Sequence, residues 1–412
     1  MKANSPTYSL LVLAAVFGIA HLDRNIFAMT LNAVGAEFVL SNTQLGMLSG
    51  LVFAVIFVIT GIPVARLAAY GNRRNIVSVS TLILSLLTML TGAAQNFWHL
   101  LMLRLGVGGS EAGIVAPSHA MISDLYPQRR VTSALAAFSA GANVGVLLAF
   151  LIGGVAGQAF GWRAAFIIAA VPGFILALLL RFTVPEPDRD VSANPAPERQ
   201  ALFRETLKTI WNDKGLRQAL YAVSLVGIVT FGALAWNPTF IIRGHQLSAA
   251  QTGIYLAVTV GVIGGLVTWQ SGRLADRLGD KNPRWRFGLV IVAILVAKPF
   301  VFGFLWLENT SAALLCFVFS ASTASVFWGP TFSFLHSRVR PEMRAMATAI
   351  FLFAFNLIGL GIGPTLVGFA SDTIFFAAGD KALSWSLLSI QMIGFWAAWH
   401  YWMAMRQIPL EN

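Results

Sequence analysis

The sequence predicts an all-α membrane protein with twelve transmembrane helices in two pseudo-symmetric six-helix halves. Three observations carry this expectation. Hydrophobic residues make up 57% of the chain and charged ones 11%, with a mean hydropathy of +0.73, far above the apolar share of a soluble domain. Long apolar runs separated by short charged or Gly/Pro-rich joints recur along all 412 residues, giving roughly twelve segments long enough to span a bilayer. Runs such as 77–94 and 216–242 do not alternate, which excludes a membrane β-barrel. The third observation is charge placement. Arg24, Arg104 and Lys298 fall within spans, and Arg163, Arg243 and Lys381 lie in loops of one side. The remaining 22 of the 28 Lys and Arg fall on the opposite side. That side is cytoplasmic by the positive-inside rule, which places both termini in the cytoplasm and requires an even number of spans. The net charge of +11 is thereby explained without nucleic acid.

The first run, 8–38, is too long for a signal h-region and is expected to remain as the first span. At its centre stand Asp23 and Arg24, each costing about 2.5 to 3.5 kcal/mol on insertion scales unless compensated. The fourth predicted helix, 98–126, carries Arg104 and Glu111. Seven residues place these two within about 20° of each other around the axis and about 10 Å apart along it, so they share a face. His119 follows within about 60° of the Arg104 direction. It reads as an interhelical histidine or a cavity residue. The polar stretch "VPEPDRDVSANPAPERQALFRETLKTIWNDKG" reads as a cytoplasmic linker at 185–215, dividing an N-terminal half, 1–184, from a C-terminal half, 216–412. Within it, 199–211 has helical spacing with Leu202, Leu207 and Ile210 on one side, suggesting an interfacial helix or a solvated connector. In the second half, Lys298 precedes Pro299 and reads as a snorkelling or locally bonded base. The segments "FGALAWNPTF" and "FVFSASTASVFWGPTFSF" offer Phe231, Trp236, Asn237, Phe327 and Trp328 as packing or cavity residues, with Asn356 in the next span.

Two signatures repeat. "ARLAAYGNRR" (65–74) aligns with "GRLADRLGDK" (272–281) at an offset of 207; Pro127, Arg130, Gly145 and Gly154 match Pro341, Arg344, Gly359 and Gly368 at an offset of 214. Duplicated six-helix halves with a substrate site between them near the midplane are a transporter arrangement. Cys316 is the only cysteine, so no internal disulfide forms. The absence of H-E-x-x-H, G-x-S-x-G and P-loop runs disfavours an enzyme; no metal site or cofactor is expected.

The G-x-x-x-D-R-x-G-x-K pattern at Gly272, Asp276, Arg277, Gly279 and Lys281 resembles the loop signature of the major facilitator superfamily. The stretches "LDRNIFAMTLNAVGAEFVLSNTQLGMLSG", "RLGVGGSEAGIVAPSHAMISDLYP" and "GWRAAFIIAAVPGFILALL" are similar to its Spinster branch, whose animal members move sphingosine phosphate and lysophospholipids. Proton-coupled organic-anion symporters share the D-R pair and the R-x-x-x-G-x-x-E-A run. In the first-half loop Ala69 and Tyr70 replace the signature's Asp and Arg, so one inter-helix carboxylate lock is expected to be missing. Ser110 replaces a glycine of the branch.

The resemblance implies that helices 1 and 4 line the cavity, so that Asp23, Arg24, Arg104 and Glu111 meet in one polar pocket, each charge finding an opposite partner. It further implies proton coupling for Asp23 and Glu111, and partner or headgroup roles for Arg24 and Arg104. A purely structural ion cluster is the competing reading. The cytoplasmic gate is expected at Arg66, Arg73, Arg74, Arg130, Gly272, Asp276, Arg277 and Arg344. The resulting expectation is a monomeric, proton-linked carrier in the inner membrane for a lipid-like or amphipathic organic anion, the alternative being a symporter for small organic acids. The partners are then the substrate and protons, with no nucleic acid.

Overall fold

A computed structural model describes residues 5–187 and 196–408. Among them no strand occurs, and nine helical stretches are long and apolar enough to cross a membrane. The stretch Ser133–Thr183 contains two spans, because Gly161 leaves the helical region at φ 84. The shorter pair Thr310–Ser322 and Trp328–Arg338, joined by a 3-10 turn, forms one more, and Ala382–Met405 another. These bring the spans to the expected twelve. In order they are α1 (Pro6–Phe38), α2 (Asn42–Tyr70), α3 (Arg73–Thr91), α4 (Phe97–Leu125), α5 (Gln128–Leu151, continued by the π-helical turn Ile152–Ala156) and α6 (Gly157–Thr183). There follow α7 (Lys214–His245), α8 (Ala249–Lys281), α9 (Trp285–Trp306), α10 (the pair just given), α11 (Pro341–Ile374) and α12 (Ala382–Met405).

Local chemistry sets the helix starts. Ser5 caps α1, accepting from the Tyr8 N–H at 3.2 Å, with Pro6 in the first turn, where its missing donor is harmless. Capping boxes open α2 and α8: Ser41 with Gln44, and Ser248 with Gln251. The same S-x-x-Q recurs at the 207-residue offset of the loop repeat, so the duplication extends to the N-terminal turns of these helices.

The described residues within 1–191 and 234–261 pack as one unit, and those within 192–233 and 262–412 as a second. In the first, α1 crosses α5 at backbone distance. A Cβ on Gly18 would stand 2.9 Å from the Gly141 carbonyl oxygen, and one on Gly145 would overlap the Gly18 carbonyl. In the second, a Cβ on Gly359 of α11 would lie 2.6 Å from Gly227 of α7. The repeated glycines Gly145 and Gly359 therefore mark matching helix crossings, where small residues let backbones approach. The second unit's core gathers Phe287, Phe334, Phe351, Phe355 and Tyr401; the Tyr401 and Thr331 hydroxyls bond at 2.8 Å.

The linker helix spans Ala196–Asn212. Thr206 and Ile210 are fully buried on the second unit and Leu202 packs beside them. Leu207 was expected on that side and instead faces outward with Phe203 and Trp211. The inner stripe runs at i, i+4, i+8 from Leu202, and Leu207 falls off it. Residues 188–195 of the linker lie outside the described residues.

Candidate functional site

The mid-span charges of the first unit form two crossed pairs between α1 and α4, while Lys298 of α9 lies in the second unit. Consecutive residues on a helix point about 100° apart, so Asp23 and Arg24 turn to different neighbours. Asp23 Oδ2 accepts from Arg104 Nη1 at 3.0 Å, and its Oδ1 accepts from the Thr88 hydroxyl of α3 at 2.7 Å. Arg24 donates from Nε to Glu111 Oε2 at 2.9 Å and pairs through Nη2 with Glu111 Oε1. Asp23, Arg104 and Glu111 are buried; the Arg24 side chain keeps 13% exposure.

Aromatic faces complete the shell. The Arg104 guanidinium carbon lies 3.9 Å from the centre of the Phe27 ring, one helical turn beyond Asp23 on α1. Arg24 stands 4.7 Å from Phe53 and 5.8 Å from Phe57 of α2. Such contacts stabilise a cation away from water. They use the guanidinium faces only: Arg24 still donates in plane to Glu111, whereas Arg104 Nε and Nη2 are buried without hydrogen-bond partners. Glu111 Oε1 meets Arg24 in an ion pair that lacks hydrogen-bond geometry. The four charges found together are those the sequence singled out, sorted Asp23 with Arg104 and Arg24 with Glu111.

His119 sits apart from these pairs, half-buried, with its ring edge-on to Phe138 of α5 at 5.1 Å. Phe138 in turn stacks on Phe17 of α1 at 4.5 Å. Lys298 bonds Gln391 of α12 at 2.9 Å, the local contact expected of it. Trp236 is fully buried and Asn237 half-buried. In the second unit Phe231, Phe327, Trp328 and Phe355 form one aromatic cluster, with ring centres 4.6 to 5.5 Å apart. Asn356 is half-buried and donates to Leu352 of its own helix at 2.8 Å.

At the basic loop ends Ala69 offers no carboxylate in the place of the signature's Asp, and other acids engage the bases that remain. Arg73 pairs with Asp124 at the end of α4. The Glu186 carboxylate accepts the backbone N–H groups of Arg73 at 2.9 Å and Arg74 at 2.7 Å, an anion on a helix N-terminus. Carboxylates from other segments thus engage the basic end that Ala69 and Tyr70 leave behind. Arg66, Arg130 and Arg277 are exposed; Arg344 is also exposed and donates to the His336 carbonyl at 3.2 Å. A Cβ at Gly272 would meet nothing within 4 Å. The Asp276 side chain lies outside the described residues.

Sequence reasoning missed Thr88, Phe27, Phe53, Asp124 and Glu186. A signal for Thr88 was present: Ser78, Thr81, Ser85 and Thr88 recur at i, i+3, i+7, i+10 and all are buried, a polar stripe on one face of an apolar helix. Among the described residues no His/Cys/Asp/Glu group is placed to hold a metal ion.

The comparisons agree with this architecture. An "MFS-type efflux pump" of Mycolicibacterium smegmatis is 30% identical over 95% of this chain and 91% of its own. The cis,cis-muconate transport protein of Acinetobacter baylyi is 27% identical over 85% and 84%. The crystal structure of a bacterial homolog of the human lysosomal transporter Spinster, inward-facing and unoccupied, superposes with a TM-score of 0.86. It has 25% identity and covers 97% of both chains. These relatives are membrane transporters, not enzymes. Residues 13–364 match the Major Facilitator Superfamily, and the chain, a Spinster-like multi-pass transporter, belongs to that family.

Proposed function

We propose that the protein is a proton-linked secondary active transporter moving a lipid-like or amphipathic organic anion by alternating access. The crossed pairs Asp23–Arg104 and Arg24–Glu111 carry this reading. Carboxylates placed deep in a membrane against arginines, one of which, Arg104, keeps spare donors, are the parts from which proton relays are built, since either acid can trade its arginine for a proton. An anionic substrate group would compete for the same guanidinium donors. The aromatic cluster of Phe231, Phe327, Trp328 and Phe355 would face an apolar moiety better than a sugar. Rocking of the two halves, 1–184 and 216–412, supplies the access change, and Asp276, Arg277 and the basic loop ends form the cytoplasmic gate. The protein acts as a monomer in the inner membrane with both termini cytoplasmic. A small organic acid is the second reading, favoured by the likeness to a muconate transporter.

Proteoliposome uptake against pH tests the proposal. Asp23→Asn and Glu111→Gln keep side-chain volume and remove the titration. The amide oxygen introduced by Asp23→Asn would retain an acceptor for Arg104, and the Phe27 ring remains beneath the guanidinium. Both variants are expected to stay folded and to lose pH-dependent, substrate-stimulated proton flux. A folded Asp23→Asn protein with wild-type pH dependence would overturn the proton role. A variant that melts early, as loss of a buried partner predicts at about 3 to 5 kcal/mol, would favour the structural ion pair. Anionic single-chain lipids should raise the melting temperature more than small organic acids do; the reverse order selects the second reading.

A further inference from the structure

At its basic end the second unit holds a cavity of about 190 Å3, bounded by the start of α9, the end of α10 and Ile408. Two guanidiniums line it, Arg286 and Arg338, with Ser337 beside them and Phe287, Phe334 and Ile408 as apolar wall. The arginines differ in how far they are satisfied. Arg338 is held by Asp213 Oδ2 at 3.3 Å and by the Gln407 carbonyl. Asp213 is itself shared, its Oδ1 accepting the Leu216 N–H at 2.9 Å at the start of α7. Arg286 donates Nη1 to the Ser333 hydroxyl at 3.2 Å, while its Nε is buried with no hydrogen-bond partner. Gly279 of the loop signature makes this placement possible, since a Cβ there would collide with the Arg286 side chain. The Nε packs against Gly279, outside the cavity lining, so an anion would meet the terminal nitrogens of Arg286, which stand beside a second cation and a cavity.

We propose that this cavity binds the phosphate of an anionic phospholipid headgroup, with Arg286 as the main contact. The fork of an arginine matches phosphate oxygens. The site stands where spans meet the aqueous boundary, beside the half-exposed Trp285, at the depth of headgroups and interfacial tryptophans. Its apolar wall suits the glycerol and upper acyl segment of a lipid better than a free ion. The cytoplasmic placement rests on the orientation proposed above; variants at Arg286 and Ser337 leave Asp23, Arg24, Arg104 and Glu111 untouched, so the two readings fail separately.

The purified full chain in detergent is titrated with phosphatidylglycerol, phosphatidylcholine or inorganic phosphate and followed by native mass spectrometry and thermal melting. Phosphatidylglycerol is expected to give retained adducts and a higher melting temperature, and the other two neither. Arg286→Gln should weaken phosphatidylglycerol binding about tenfold or more. Ser337→Phe, which fills the cavity and leaves the charges in place, should do the same and decides the matter if Arg286→Gln fails to fold. Arg340→Gln removes an arginine paired with Glu205 of the linker helix and outside the cavity lining, and should bind as wild type. Unchanged binding in Arg286→Gln and Ser337→Phe overturns the proposal. So does an equal loss in Arg340→Gln, or stabilisation by inorganic phosphate matching that by the lipid.

Discussion

Asp23 and Arg24 are neighbours in the chain and partners of different residues, and the distinction decides what each substitution removes. The spacing of Arg104 and Glu111 placed both on one face, which was legible from helical geometry alone. Which acid meets which base was not, because it depends on the register of α1 against α3 and α4, and single-helix periodicity carries no information about a neighbour's height. Thr88 shows the gap: its proton is shared between Asp23 Oδ1 at 2.7 Å and its own helix's Leu84 carbonyl at 2.9 Å. Thr88→Val keeps the branched shape and strips the donor from a buried carboxylate, at an expected cost of about 1 to 3 kcal/mol. The variant should melt below wild type in detergent, and Thr88→Ser should restore most of the difference. A melting temperature equal to wild type for Thr88→Val would show that Arg104 alone satisfies Asp23.

Helix existence and order were readable because apolar run length and basic joints suffice for that. Interruptions inside spans were less readable. The π-helical turns Ile152–Ala156, Ala257–Ile263 and Phe355–Leu360 arise where neighbouring helices constrain a backbone that local propensity would leave regular. The repeated glycines were visible as a pattern, while their reason, backbone contact at crossings, needed the fold. One such contact joins α5 to the first segment of α8. A Cβ on Gly253 would lie 2.8 Å from the Gly154 Cα and overlap the Phe150 carbonyl. Beside it the Ala250 N–H donates to Gln158 at 2.8 Å. Gly253→Val should push these helices apart at about 1 to 3 kcal/mol of overpacking, lowering the melting temperature and slowing uptake, with Gly253→Ala milder on both. A Gly253→Val protein that melts and transports as wild type would show that the crossing relaxes freely.

At the scale of the whole molecule charge adds to hydropathy: the expected topology puts 22 of 28 bases on one side, from which the positive-inside rule assigns a direction to every span. Charge asymmetry needs no tertiary information, so an expected topology can be written from the sequence alone, whereas the cavity beside Arg286, made by three separated segments, cannot. The orientation makes a test at this scale. Between Ala201 on the linker helix and Asp380 in the turn Phe376–Lys381 the chain crosses five spans, α7 to α11. These two exposed positions should therefore face opposite compartments. Ala201→Cys and Asp380→Cys, each on a Cys316→Ser background, provide single labelling sites, since Cys316 is the only native cysteine. An impermeant maleimide applied to intact cells should label Asp380→Cys and spare Ala201→Cys until the membrane is permeabilised. Labelling of Ala201→Cys alone would invert the molecule and turn the proposed gate outward. Labelling of both in intact cells would contradict the odd number of crossings between them, and with it the assignment of α10 as one span made from two short helices.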